Sequence, residues 1–367
     1  MSLKEQLGWI YFIFPYISPV QNKFGFLFSI LSGRSKYKIR LQNGDVITLE
    51  KSKIYNLYCL LGALCFATSY HVKSENKIEI CQDLKNKFLI SLNNLSYEDT
   101  NLLEFLFWGS RFGVNLVKEN YNSENFRSRT FRVTQEADKK IIETFDGVKF
   151  YLDSISAYTI IETFVNTLHL LNPNTNWNGK VVVDVGPEFG DTPLYFANLG
   201  AKVYAFEALK EHYDGMVRNI HLNPKLSKQI VAINAAIGRD ETLDFAVQNT
   251  ESISKPGATF VYSGKEGTAT RKIKAYSLES AFKEFDIHHI DLLKMDCNGC
   301  EFSLSVDSLK NVDAVKIEHL AKGSNKLESI LRVLEQAGFS WILYRQNLQA
   351  RRSNKVSGYV YGVKTKK

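Results

Sequence analysis

Acidic residues recur in this chain where a buried strand gives way to a loop. The stretch VVVDVGPEFGD at 181–191 runs three valines into an acid and then into a glycine-bearing turn. That is the pattern of a buried parallel strand handing over to a helix. Such a turn lies at the carboxyl edge of a sheet, where open α/β sheets bind their ligands. A dinucleotide loop would read G-x-G-x-x-G, but Glu188 stands where its second glycine would be. Asp184, Glu188 and Asp191 would repel a pyrophosphate and suit a ligand that carries positive charge and hydroxyls. Gly186 and Gly190 let such a ligand approach the backbone closely.

Three more acids end strands on the same edge. Glu207 closes the run 202–206 and lies 21 residues beyond Gly186. A carboxylate at that offset can accept both hydroxyls of an adenosine ribose. Asp296 closes the run 290–295, and Glu318-His319 follows the run 312–317. The other reading of such residues is that they cap the following helices, and for Asp191 it is equally good. A loop hostile to pyrophosphate beside a ribose-binding acid points to S-adenosylmethionine, whose sulfonium and ammonium groups are cationic.

The elements that must position these residues form a regular series. Helices are predicted at 192–199, 210–222, 278–285 and 326–338. Strands are predicted at 181–185, 202–206, 229–234, 290–295, 312–317, 339–344 and 356–363. Alternating β and α with a closing antiparallel hairpin predicts a doubly wound, mostly parallel sheet with one reversed edge strand. Polar hairpins are expected between 242 and 273. Upstream, 155–171 has helical spacing, and 145–152 reads as a turn and a short strand. The segment 37–49 alternates on both sides of Asn43-Gly44, which predicts a hairpin with a type I′ turn. Ser96 and Asp99 read as the capping pair of a helix. The polar stretch 118–136 reads as a linker or surface loop. Residues 1–145 are therefore taken as an N-terminal α+β region serving substrate recognition or oligomerisation, and 146–367 as the ligand-binding domain.

Four blocks occur in order: VDVGPEFGDTPLYFA at 183–197, VYAFEA at 203–208, NAAIG at 234–238 and LLKMDCNGCE at 292–301. Together they resemble the FkbM-like family of S-adenosylmethionine-dependent methyltransferases over about 145–345. The resemblance implies a class I methyltransferase fold and O-methylation of a hydroxyl on a sugar, glycan or similar metabolite. It implies that Asp184, Gly186 and Gly190 hold the methionine end of the cofactor. Glu207 would then bind the ribose, Ala236 would border the adenine, and Asp296 would lie by the methyl group and the acceptor. The chain departs from the family pattern at Pro187-Glu188, at Ala208 and at Asn298, where the family carries Ala-Asn, Pro and Glu. Asn298 removes a carboxylate from beside the site, and no metal site is read from the sequence.

Methyl transfer is an in-line displacement on an activated carbon, so alignment is the main task and a base need only take the hydroxyl proton. Asp296 is the first candidate for that base, with Glu318, Glu301 and His319 behind it. Cys297 and Cys300 have C-x-x-C spacing without a second pair, and are read as packing around a turn at Asn298-Gly299. His288-His289 reads as a surface loop at the opposite edge.

Bulk properties bound the alternatives. The chain has 367 residues, 44% hydrophobic and 23% charged, as a globular protein of two domains would have. Five cysteines make no disulfide framework, and a reducing, cytoplasmic setting is expected. The net charge is +7, and seven basic residues with no acid lie between Arg345 and the last residue. The excess is therefore a local C-terminal patch, and its basic loop at 345–355 suits an anionic acceptor or a phosphate-bearing carrier. RNA methylation is the second reading, although no RNA-binding module is evident. A catalytically silent cofactor-binding scaffold is the third. The aromatic-rich start, 1–31, is broken by Pro15 and Pro19. It is too interrupted for a membrane span but compatible with peripheral membrane contact.

Overall fold

In the computed structural model the chain is described at residues 2–74, 77–83, 86–92, 95–118, 129–238, 240, 242–246, 270–297, 299–322, 324–345 and 355–365. It divides into two compact units, Met1–Val165 and Asn166–Lys367.

The first unit opens with α1 (Leu3–Ile13) and α2 (Lys23–Leu31). Ser2 and Glu5 cap α1 reciprocally, each side chain accepting from the other's backbone N–H. The hairpin β1 (Lys36–Arg40) and β2 (Val46–Glu50) buries Tyr37, Ile39, Ile47 and Leu49 from alternate positions. Its turn is not type I′, which needs two successive positive φ angles. Only Gly44 is left-handed (φ 88°), and Leu41 N–H donates to Asp45 O (2.8 Å), leaving a three-residue loop.

Next come α3 (Ile54–Phe66) and the antiparallel sheet β3 (Ser69–Ser74), β4 (Lys77–Cys81), β5 (Lys87–Ser91). Ser96 caps α4 (Tyr97–Glu104) by accepting from Asp99 N–H at 3.0 Å. A second sheet joins β6 (Asn115–Lys118), β7 (Thr130–Glu136), β8 (Lys139–Glu143) and β9 (Lys149–Tyr151). The expected linker at 118–136 thus includes strand β7, half-buried against its neighbours, while 119–128 lie outside the described residues. The helix expected over 155–171 is shorter: α5 (Ala157–Ile160) passes into one π turn that ends at Val165.

The second unit follows the predicted alternation. Its elements are β10 (Val181–Val185), α6 (Asp191–Asn198), β11 (Lys202–Phe206), α7 (Lys210–His221), α8 (Pro224–Ser227) and β12 (Ile230–Ile233), then the short strand β13 (Ala236–Ile237). They continue as β14 (Thr242–Ala246), β15 (Thr270–Tyr276), α9 (Leu278–Glu284), β16 (Leu292–Met295), β17 (Ala314–Lys322), α10 (Ser324–Gln336), β18 (Phe339–Arg345) and β19 (Lys355–Lys364). Seven strands form one sheet in the order β12-β11-β10-β16-β17-β19-β18. The first five are parallel; β19 runs against both its neighbours. The reversed strand is therefore not at the edge, as expected, but inserted beside β17, with β18 outside it. This is a doubly wound, mostly parallel α/β sheet, as the resemblance implies. Chain order reverses beside β10, and a crevice opens at such a point. The apolar runs of β10, β11, β16 and β17 bury Val183, Phe206, Leu293 and Ile317 in one core. Of the expected hairpins at 242–273, β14 and β15 pair antiparallel, and 247–269 lie outside the described residues. So do Arg351 and Arg352 of the basic loop.

Candidate functional site

The glycine turn forms where β10 meets the end of β16. Gly186 has φ +80°, and a Cβ on it would overlap the carbonyl oxygen of Asp296. Only glycine lets these two loops cross. Gly190 (φ +92°) is the N-cap of α6, and a Cβ there would come within 2.9 Å of Met216 Cγ. Asp191, buried, opens that helix and sets its carboxylate at the positive end of the helix dipole. Glu188 is held left-handed at φ +52°.

Glu207 organises the same turn. Its Oε2 accepts from Glu188 N–H (3.1 Å) and its Oε1 from Leu209 N–H (2.8 Å). Each carboxylate oxygen has lone pairs left for ligand hydroxyls. Burial pushes the Glu207 carboxyl up to about 7 against those two hydrogen bonds. Asn234 Nδ2 donates to Glu207 O (2.8 Å), tying the end of β12 to the end of β11. Ala236 packs with Ala208, Ile273 and Ala275 beside it.

Under this rim lies a row of charge that the sequence reading missed. The register Asp184↔Lys294↔Lys316↔Tyr361 crosses four strands on one sheet face. Lys294 Nζ lies 2.8 Å from Asp184 Oδ1 and 3.4 Å from Gly186 O, both side chains being buried. Burial raises the Asp184 carboxyl to about 6 despite the lysine. Burial opposes charge on Lys294, but Asp184 and Asp296 outweigh it and push its pKa up, so the pair stands ionised at neutral pH. Asp184 Oδ2 is buried and accepts no hydrogen bond among the described residues. Lys316, also buried, donates to His169 Nδ1 at 2.6 Å and lies 3.9 Å from the centroid of the Tyr359 ring. Burial and the two lysines hold His169 well below its usual range, so it is neutral and accepts.

Asp296 follows β16 on this face and is hydrogen-bonded to Glu318 of β17. Burial opposes its ionisation; Glu318, Lys294 and Lys316 outweigh burial and hold it below the usual carboxylate range. The structure thus brings together Asp184, Gly186, Glu188, Gly190, Asp191, Glu207, Asp296 and Glu318 along the crevice. It does not bring His319 to them. Strand β17 runs on to Lys322, so His319 lies within the strand, buried, on the face opposite Glu318.

Cys297 and Cys300, read from sequence as packing thiols, are joined in a disulfide with Cα atoms 5.6 Å apart. Three residues of separation let the chain bend back on itself. Glu301 Oε2 closes the bend by accepting from Gly299 N–H (2.8 Å) and approaching Cys297 Sγ (3.4 Å). Asn298 lies outside the described residues. His288 and His289 are exposed, as expected.

Residues 184–340 match the family model of the methyltransferase FkbM domain. The second unit carries an FkbM methyltransferase domain. Its activity is S-adenosylmethionine-dependent methyl transfer, and S-adenosylmethionine is its cofactor. No curated protein matches the chain in sequence. Solved structures similar to it include the METTL16 methyltransferase domain, at 13% identity and TM-score 0.38, covering 60% of this chain and 74% of that one. An rRNA methylase from Streptococcus thermophilus has 12% identity and TM-score 0.33, with 52% and 89% covered. Magnesium protoporphyrin IX methyltransferase (ChlM) from Synechocystis PCC 6803, with bound SAM, has 11% identity and TM-score 0.32, with 57% and 79% covered. At this level of likeness none bears on the acceptor. The FkbM domain's own residues suit the cofactor. Asp184 Oδ2 is an unsatisfied buried acceptor, Glu207 has spare lone pairs for a ribose, and Gly186 lets the loops after β10 and β16 cross beside them.

Proposed function

We propose that the second unit O-methylates a hydroxyl on a sugar, glycan or similar metabolite. The observation that carries this reading is the pairing of Asp296, just past the end of β16, with Glu318 within β17, beside the glycine turn. Bound cofactor supplies an electrophilic methyl carbon. Asp184, Gly186, Glu188, Gly190, Asp191, Glu207 and Ala236 are the cofactor-binding residues in this reading. Asp296, kept ionised against burial by its hydrogen bond with Glu318 and by Lys294 and Lys316, takes the acceptor's hydroxyl proton. Such a base contributes about 10²–10⁴-fold. Acceptor choice or self-assembly is assigned to the first unit, and an anionic acceptor to the basic loop.

Calorimetric titration with S-adenosylmethionine and S-adenosylhomocysteine, followed by transfer assays on glycans, small hydroxylated metabolites and RNA, tests this. Asp296→Asn should keep cofactor affinity within a few-fold and lower transfer by about 10²–10⁴-fold. Transfer to RNA alone would move the acceptor to the second reading. Tight cofactor binding with no transfer to any of them would leave the silent scaffold.

A further inference from the structure

Helices α1 and α2 turn the wrong residues outward for ordinary surface helices. On α1 and the turn that follows it, Leu3, Leu7, Tyr11 and Phe14 recur every three or four residues and are 64%, 53%, 69% and 60% exposed. On α2, Phe24 and Phe28 are four apart and 92% and 62% exposed. Residues at this spacing share one helix face. Two neighbouring helices thus each carry a large apolar stripe into solvent, and contiguous exposed apolar surface marks an interaction site.

Charge identifies the partner. Residues 1–53 hold eight basic residues against Glu5, Asp45 and Glu50. Lys4 and Lys23 adjoin Leu3 and Phe24 on the helices that carry the stripes. A second copy would bring the same positive charge against itself. An anionic bilayer offers apolar depth to the stripes and counter-charge to the lysines, and aromatic side chains favour its interface. The helices have 11 and 9 residues, far short of the roughly 20 that a span requires, so they lie in the surface.

We propose that α1 and α2 form a peripheral membrane anchor that seats these stripes in the interface of an anionic lipid bilayer. It rests on the first unit alone and holds equally for the Asp296→Asn protein.

The test is co-sedimentation of the full chain with phosphatidylcholine vesicles, with and without phosphatidylglycerol. The chain sediments with the anionic vesicles, less with phosphatidylcholine alone, and progressively less as salt rises. Phe24→Ser with Phe28→Ser lowers partition at least about tenfold while circular dichroism and Tm stay unchanged, because both rings are in solvent. Lys4→Glu with Lys23→Glu abolishes the preference for phosphatidylglycerol. Absence of binding to either vesicle overturns the proposal, as does equal partition onto both. A concentration-dependent dimer that Phe24→Ser with Phe28→Ser dissolves, without vesicle binding, overturns it in favour of self-association.

Discussion

In the first unit the departure from ordinary burial is apolar and points outward, with Phe24 92% exposed. In the second it is charged and points inward: Asp184, Lys294 and Lys316 are all at most 3% exposed. Charged residues are rarely so buried unless paired, and large apolar residues are rarely gathered on exposed stripes. Each exception carries a cost, and the costs differ in kind. The outward stripes cost little stability, since an exposed Phe loses nothing when the chain unfolds. The inward row must be compensated partner by partner. A second contrast limits how far buried charge alone identifies a site. Glu104, on α4 of the first unit, is raised to about 7 by burial, as Glu207 is, yet its hydrogen-bond partner is the hydroxyl of Tyr55 on α3. Glu207 instead holds two loop amides beside a left-handed glycine turn. What separates them is the open loop, not the shift.

The inward row should show the largest effects. Lys294→Met leaves Asp184 buried without its cation, and breaking one side of a buried pair costs about 3–5 kcal/mol. Asp184→Asn added to Lys294→Met should recover much of that loss, because the stranded charge is then gone. The first unit's stripes provide the control: Phe24→Ser should shift stability by no more than about 0.5 kcal/mol. Urea unfolding midpoints measure all three. Equal losses from Lys294→Met and Phe24→Ser would erase the contrast.

The second unit's fold was legible because its strands are apolar runs bounded by turn residues, and strand β11 was placed to the residue. The position of β19 was not. Which edge a returning strand takes depends on pairing across the sheet, and no local pattern encodes it. The same limit hid the charged row. Lys294 and Lys316 stand out as lone cations in LLKM and AVKI, a signal that was present. Their partners Asp184 and His169 lie 110 and 147 residues away and are fixed only by register and by the loop after the π turn. The positions of the glycine turn and Glu207 at successive strand ends were legible because they belong to one β-α-β unit, β10-α6-β11. His319 was misplaced as a strand-end residue because β17 outlasts its apolar run. The Cys297–Cys300 bond was passed over because C-x-x-C without a second pair favours simple packing.

Titration separates the two raised carboxyls. Both have folded values of about 7 against an ordinary 4.5. The folded state therefore holds their protons more tightly, so apo stability falls as pH rises from about 4.5 to about 7 and levels out above that. Glu104→Gln and Glu207→Gln should each flatten part of that fall in a plot of Tm against pH. Only Glu207 should govern the cofactor. Ionised, it accepts from ribose hydroxyls, so S-adenosylmethionine affinity should rise through pH 7 in the native protein and in Glu104→Gln. In Glu207→Gln affinity should be weaker and nearly flat with pH. A flat calorimetric profile for the native protein would remove Glu207 from the cofactor site.

The smallest effect lies in the glycine turn itself. Glu188 occupies a left-handed backbone position at φ +52°, where a non-glycine side chain pays roughly 1–2 kcal/mol and Asn is better tolerated than Glu. Glu188 meets Glu207 through its backbone N–H, which Asn also supplies. Glu188→Asn should therefore keep S-adenosylmethionine affinity within about twofold and raise Tm slightly, by less than about 1 kcal/mol in stability. It also removes one carboxylate from a rim already crowded with Asp184, Asp191 and Glu207, so any weakening of affinity would come from lost attraction for the cationic cofactor and should fade at high salt. A large loss that salt does not change would instead mean that the Glu188 side chain contacts the ligand directly. The turn would then recognise its ligand through side chains, where the geometry otherwise gives that work to the backbone.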